Sequence, residues 1–189
     1  MSVRMPTAKR HQRGLIAVAL AALVSVHAQA QPGAAEEAVE AAYLHKFPGF
    51  VDWPADAFLN ASSPIVIGIV GAPRVLDELT RVARGRLVIG RQVEARAVVA
   101  TGLPRDLQVL FIGKDASADA GLLIDEARRA HVLVVTDMPG GLKAGAVIDF
   151  VQIDGRLRFE ASLPAARRAD IKLSSNLLSV AAKVIEETP

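Results

Sequence analysis

Three short apolar runs constrain this chain more than anything else in it. Pro64-Ile-Val-Ile-Gly-Ile-Val70, Leu107-Gln-Val-Leu-Phe-Ile112 and His131-Val-Leu-Val-Val-Thr136 are too short for core helices and show no polar alternation. Each reads as a strand covered on both faces. Such strands need helices above and below, and the intervening segments supply them. Pro73–Arg84 places Val75, Leu76, Leu79 and Val82 at helical spacing, with proline in the first turn and Gly85 near the C-cap. Ala118–Arg129 predicts a second helix. Arg86–Ile89 and Gln92–Val99 read as strands, the second ending before a loop at Thr101–Pro104. Strand, helix, strand, strand, helix, strand implies right-handed crossovers. The expected fold class is therefore α/β, a three-layer sandwich with a mostly parallel central sheet and helices on both faces.

The final third changes character. Met138-Pro-Gly-Gly-Leu-Lys-Ala-Gly145 reads as a loop, and Ala146–Ile153 pairs with Arg156–Ala161 across Asp154-Gly155, a strong two-residue hairpin signal. Leu157 and Phe159 alternate with Arg156, Arg158 and Glu160, giving one buried and one wetter face, so this C-terminal hairpin is expected at a sheet edge. A short helix over Leu163–Ala169 follows. Ser174 or Ser175 would cap a last helix, Asn176–Glu186, with Leu177, Leu178, Ala181 and Ile185 facing inward.

The N-terminus reads as an export signal. Arg4, Lys9, Arg10 and Arg13 precede an almost purely apolar run, Gly14–Val26, and Ala28-Gln29-Ala30 is a small-x-small cleavage site. Thirteen apolar residues rise only about 20 Å as a helix, short of the roughly 30 Å hydrocarbon core. The expectation is a secretory signal peptide over 1–30 cleaved after about Ala30, a linker over 31–35, and one exported domain over 36–189. With no cysteine, lipoprotein anchoring at a processed cysteine is excluded, as are thiol catalysis, cysteine metal sites and disulfide control. The whole chain has 22 Lys and Arg against 20 Asp and Glu. Losing four bases with the signal leaves about −2, so no basic patch with interleaved aromatics supports nucleic-acid binding. Arg128-Arg129 and Arg167-Arg168 read as solvated helix faces. A mature chain of about 159 residues can bury roughly 70 % of its extended surface as one domain.

Aromatics are scarce, and Tyr43-Leu-His-Lys-Phe-Pro-Gly-Phe-Val-Asp-Trp-Pro54 holds the only Tyr, the only Trp and two of six Phe. Such rings concentrate core or interface energy where they fall. Val39, Tyr43, Phe47 and Phe50 follow at helical spacing, and Glu36 and Glu37 would sit in a first turn that favours acids, so a helix is expected from about Ala34 to Phe47. Pro48 lacks the N–H that would bond the Leu44 carbonyl and clashes with that turn, at a cost of about 3 kcal/mol in a helix interior. The helix should end or kink there and redirect Phe50, Val51 and Trp53. Ala55–Leu59 reads as a short amphipathic turn leading to the first strand.

Chemistry-bearing patterns are few. There is no Gly-x-Gly-x-x-Gly after the first strand, no P-loop, no Gly-x-Ser-x-Gly and no His-Glu-x-x-His. Gly140-Gly141 follows a strand and either offers backbone N–H groups to an anion or is a plain turn, since it leads to another strand. Asp115 and Asp137 fall at strand ends, where two carboxylates could share one rim of a parallel sheet, or simply cap loops. His131 reads as packed or hydrogen-bonded and His45, beside Lys46, as exposed. Neither has a partner at metal-ligand spacing, so no metal, cofactor or catalytic residue is assigned and the chain is not expected to be an enzyme. Ser174-Ser175 reads as a cap, not a nucleophile.

Three ordered motifs carry a family resemblance over nearly the whole mature chain. They are Tyr43-Leu-x-x-Phe-x-x-Phe-Val-x-Trp-Pro54; Gly140-Gly141 followed by the hairpin with Arg156-Leu-Arg-Phe-Glu160; and Ala165-Ala-Arg-Arg-Ala-Asp-Ile-Lys-Leu-Ser-Ser-Asn-Leu-Leu178. With these the chain resembles the YfiR family of periplasmic regulators. The resemblance implies an α/β fold like one lobe of a periplasmic binding protein. It also implies a repressor of a membrane-bound diguanylate cyclase, acting through the cyclase's periplasmic sensor region and lowering cyclic-di-GMP and biofilm formation. The best-known members carry bridged cysteines that tie activity to redox state, a control this chain cannot have. Pro48-Gly49 falls where the family continues its helix, and Ala161 replaces the Asn that follows the Phe-Glu pair.

Two functional classes stay open. A repressor would dock an apolar surface on a membrane-anchored cyclase or another membrane sensor, with Phe50 or Trp53 as anchors. A ligand-binding module would use the same rings and the strand-end loops to line a small-molecule pocket; a ligand preferring the free form would release the partner. The candidate contact residues are Phe50, Trp53, Asp137, Gly140, Gly141, Ser175 and Asn176. Trp53 is expected to be mostly buried under the sheet and Phe50 nearer the surface, and a homodimer stays open.

Overall fold

The computed structural model describes residues 32–54 and 56–187 of the chain. The expected signal peptide and cleavage point, and Ala55, lie outside these residues. Helix α1 spans Pro32–Lys46. It begins earlier than the acid pattern predicts, taking in residues expected as linker and leaving Glu36 and Glu37 beyond the first turn, where the helix dipole favours them less. A 3-10 turn, Phe47–Phe50, holds Pro48 near its start, so the chain tightens and ends the helix where proline forbids its continuation.

Strands β1 (Val51–Asp52) and β2 (Ile65–Val70) follow, then α2 (Pro73–Ala83), β3 (Leu87–Val88), β4 (Arg91–Ala97) and β5 (Val109–Ile112). A 3-10 turn at Lys114–Ala116 precedes α3 (Ala120–Arg129), β6 (Leu133–Thr136) and α4 (Gly141–Ala144). The hairpin is β7 (Ile148–Ile153) and β8 (Arg156–Ser162), followed by α5 (Leu163–Arg168), β9 (Lys172–Leu173), α6 (Ser175–Val180) and β10 (Lys183–Ile185).

Eight strands form one sheet in the order β10-β8-β7-β6-β5-β2-β4-β3, and β1 pairs with β9 in a separate ribbon. The sheet is mixed, because β3–β4 and β7–β8 are antiparallel while β10–β8, β2–β4, β2–β5, β5–β6 and β6–β7 are parallel. All residues of β2, β5 and β6 are buried, as continuous apolar runs require. Alternate residues feed two cores. Ile65, Ile67, Ile69, Phe111 and Val135 pack with α1 and α2, whereas Val66, Val70, Leu110, Ile112 and Val134 pack with α3.

Two expectations for the C-terminus are corrected. The hairpin is not the edge, because β10 adds in parallel to β8 with Val184 opposite Ala161. The long last helix is likewise absent. The segment turns once as α6, capped by the Ser174 hydroxyl accepting from the Leu177 amide at 3.3 Å, and then extends. Only Leu177 of α6 is buried, so one turn exhausts its apolar face, and Val184 and Ile185 gain more from the free edge of β8. The Asp154-Gly155 turn forms as expected, with φ of 51° and 70° at its two centres.

The aromatic stretch seats α1. Phe47 meets Phe159 edge-on with ring centroids 5.2 Å apart, and Tyr43 packs between Phe47 and Phe150 at 5.7 and 5.8 Å. Trp53 is half-buried, not sunk under the sheet: its Nε1 donates to the Pro48 carbonyl at 3.1 Å, and its ring meets Phe58 edge-on at 6.2 Å. Two long side chains hold the loop after it. Gln108 donates to the Ala57 carbonyl at 2.7 Å and accepts from the Val66 amide at 2.8 Å, while Arg91 bonds the carbonyls of Asn60, Ala61 and Ser63 and lies 3.9 Å over the Phe58 ring.

Candidate functional site

The strand order reverses at β2. From β2 the chain crosses through α2 to β4 on one side, and β5, on the other side, leads through α3 to β6. The loops leaving β2 and β5 therefore diverge to opposite faces, which opens a crevice at the carboxyl ends of the strands. Its floor is tight. A Cβ on Gly71, at φ +67°, would lie 2.7 Å from the Ala116 amide nitrogen, and one on Gly113 would lie 2.6 Å from the Gly71 carbonyl. Only glycine allows the two loops this approach.

The crevice is a cavity of about 290 Å³ walled by α1 on one side and by these loops on the other. Asp115 and Asp137 both line it, so the two carboxylates expected at strand ends do share one rim. Asp137 Oδ1 accepts from the Lys114 amide at 2.6 Å, and burial nevertheless pushes its carboxyl up. Sequence reasoning missed the opposite wall, where Glu36, Glu37 and Glu40 of α1 face these groups across a sequence gap that only folding closes. Glu40 is 2 % exposed, and burial, reinforced by Asp137, Glu36 and Glu37, pushes its carboxyl up to about 8. Its Oε1 and the Oε2 of Glu37 have no hydrogen-bond partner, and Arg74 reaches only the other Glu37 oxygen, at 3.7 Å.

Gly140 and Gly141 do not offer an open anion cradle. Gly140 sits at φ 79° and Gly141 starts the one-turn α4, where a loop running straight into strand was expected. The Gly141 amide donates to the Met138 carbonyl at 3.1 Å. Asp149 is itself buried, accepts from Thr136 Oγ1 at 2.5 Å, and has a carboxyl raised to about 6, by burial first and then by Glu160 and Asp137. A Cβ at position 141 would overlap both Thr136 and Asp149. Gly141 is thus a packing device beside the crevice, and Gly140 supplies the left-handed turn before it.

The remaining expected contact residues gather elsewhere. Phe50, 36 % exposed, offers its carbonyl to the Ser174 amide at 2.9 Å, which brings the exposed Ser175 and Asn176 alongside it. Next to this turn lies the tip of the β3–β4 hairpin, since a Cβ on Gly49 would touch Val88 at 3.3 Å. At that tip Leu87 and Ile89 are each 56 % exposed, and Ile89 holds φ 46°. A β-branched residue in the left-handed region is strained. Phe50, Leu87 and Ile89 give this sheet edge an apolar rim of separately exposed side chains, Val88 between the last two being the one that faces the turn; in the sequence only two aliphatics, where a hairpin tip usually carries polar residues, signal it.

The histidines reverse one expectation. His45 is buried at 7 % exposure with Nε2 unpartnered, and burial, with Arg86 and Lys46 nearby, holds its pKa below the usual value. It faces inward because α1 packs along its whole C-terminal half. His131 Nδ1 lies 3.0 Å from the Ala169 carbonyl, a hydrogen-bonded position as expected. Among the described residues, no three of His, Cys, Asp and Glu converge as a metal site would require. No described helix is long and apolar enough to cross a membrane.

Comparison with known proteins adds two findings. A family model described as YfiR/HmsC-like matches residues 37–182. Among solved structures, a conserved domain protein from Vibrio cholerae O1 biovar eltor superposes with a TM-score of 0.50 at 13 % identity, covering 63 % of this chain and 54 % of that one. This chain thus spans about half the length of that protein, and the likeness is one of fold. No curated protein matches the chain.

Proposed function

Since the chain belongs to the YfiR/HmsC-like family of periplasmic regulators of cyclic-di-GMP signalling, we propose that it represses a membrane-bound diguanylate cyclase by binding the cyclase's periplasmic sensor region. The observation that carries this reading is the exposure of Phe50, Leu87 and Ile89 along the rim of one sheet edge, with Ser175 and Asn176 beside Phe50. Large side chains held outward by a strained turn serve no core, and aromatic and aliphatic anchors of this kind suit a hot spot ringed by polar groups. Trp53 supports the rim from behind by fixing the Pro48 carbonyl. The chain has no cysteine, so regulation by its own disulfides does not enter.

Deletion of the protein is expected to raise intracellular cyclic-di-GMP and biofilm formation, and the tagged protein should co-purify with a cyclase. Phe50→Ala and Ile89→Asp variants, folded by thermal melt, should fail in both assays. An unchanged nucleotide level with no cyclase recovered would remove the repressor reading. A second reading, a small-ligand module acting with a different membrane partner, draws its support from the crevice at the strand ends.

A further inference from the structure

The crevice holds an imbalance that the fold itself does not resolve. Glu36, Glu37, Glu40, Asp115 and Asp137 line it against only Arg74 and Lys114. A buried carboxyl oxygen without a donor is costly, and Glu40 Oε1 and Glu37 Oε2 are two such oxygens in one wall. Glu40 is almost wholly buried in that wall, and its charged neighbours come from every surrounding element. These are Glu36 and Glu37 on its own helix, Lys114 after β5 and Asp137 after β6. On the β5 side of the rim the amides of Gly113, Lys114 and Ala116 are already engaged, bonding Val70, Asp137 and Gly113.

We propose that this crevice is a binding site for a small organic cation bearing an ammonium or guanidinium group, which donates to the unpartnered carboxyl oxygens of Glu37 and Glu40. Multiple N–H donors on one cationic centre match two acceptors in one wall, and a guanidinium fork matches a carboxylate in two bonds. A metal ion is a poorer fit, since no three acidic or imidazole ligands converge among the described residues. Binding of the cation favours the ionised form of Glu40, whose carboxyl otherwise stays protonated near neutrality, so the ligand should displace a proton. The inference stands on the crevice alone and does not depend on the identity of the membrane partner.

The test is calorimetric titration of the mature protein with agmatine, which carries both cationic groups, at pH 7 in PIPES and in HEPES. Tris is avoided because it is a primary ammonium with three N–H donors, whereas the protonated nitrogens of PIPES and HEPES are tertiary. Saturable one-to-one binding with net proton release is expected. Glu40→Gln should weaken binding at least about tenfold and abolish the proton release, Glu37→Gln should weaken it, and Asp125→Asn, on the exposed face of α3, should leave it unchanged. Glu40→Gln keeps the shape of the protonated acid, and its fold is checked by its unfolding curve. No binding at millimolar agmatine would overturn the proposal. So would binding indifferent to Glu40→Gln, or preferential uptake of succinate or calcium.

Discussion

Glu40→Gln should stabilise the protein at alkaline pH and leave it unchanged in acid. Its carboxyl rises from 4.5 to about 8 in the folded state, so the fold retains a proton that the unfolded chain releases. Stability is therefore fully present below about pH 4.5 and is lost progressively as pH rises through about 8. At about 1.4 kcal/mol per pH unit, the full interval corresponds to roughly 5 kcal/mol. The helix can relax and admit water once the carboxyl is charged, so about 3 kcal/mol is the expected gain for the amide above pH 8. That is a large share of the roughly 5–15 kcal/mol that holds a domain of this kind together. The assay is urea unfolding of wild type and variant at half-unit steps from pH 4.5 to 9, without added amines. The two curves should coincide near pH 4.5 and separate steadily above it. Asp149, raised to about 6, tilts both curves alike and does not contribute to the difference. Parallel curves would refute the argument, because they would mean that the Glu40 carboxyl is solvated or paired in solution.

Other outcomes follow from packing. Gly141→Ala should cost about 1–3 kcal/mol, since its methyl group must displace the Thr136–Asp149 pair, whereas Gly140→Asn, at φ 79°, should be tolerated; chemical denaturation separates them. Gln108→Leu leaves the Ala57 carbonyl and the Val66 amide without their partner and should cost about 1–3 kcal/mol, with faster proteolysis within residues 56–63. Trp53→Ala should lower stability by about 2 kcal/mol, below the 3–5 of a fully buried ring, while Phe50→Ala should leave the melting temperature within about 1 °C.

The strands were legible because burial on both faces demands apolar continuity, and the β7–β8 turn because Asp154-Gly155 fits few other conformations. The C-terminus was not. Leu177, Leu178, Ala181 and Ile185 fit a helix as well as a turn followed by a strand, and the free edge of β8, invisible in local sequence, decides for β10. Of the crevice, Asp115 and Asp137 could be read from strand ends. Glu36, Glu37 and Glu40 could not, because a helix acid with helical neighbours looks like a solvated face until α1 is laid across the switch point. His45 misled for the same reason. Phe50 was legible from the proline before it, but Leu87 and Ile89 were absorbed into the reading of a strand.

Helix α1 is moored unevenly. Its C-terminal half is fixed by Leu44 and Phe47 in the aromatic core, while its N-terminal half rests on carboxyls that repel one another and on one long contact to Arg74. The helix is thus expected to behave as two cooperative units in one continuous rod. Its first turns open at a free energy well below that of global unfolding and its last turns only with the whole domain. Amide exchange along α1 should accordingly step down at Ala41 without any break in the helix to mark the boundary.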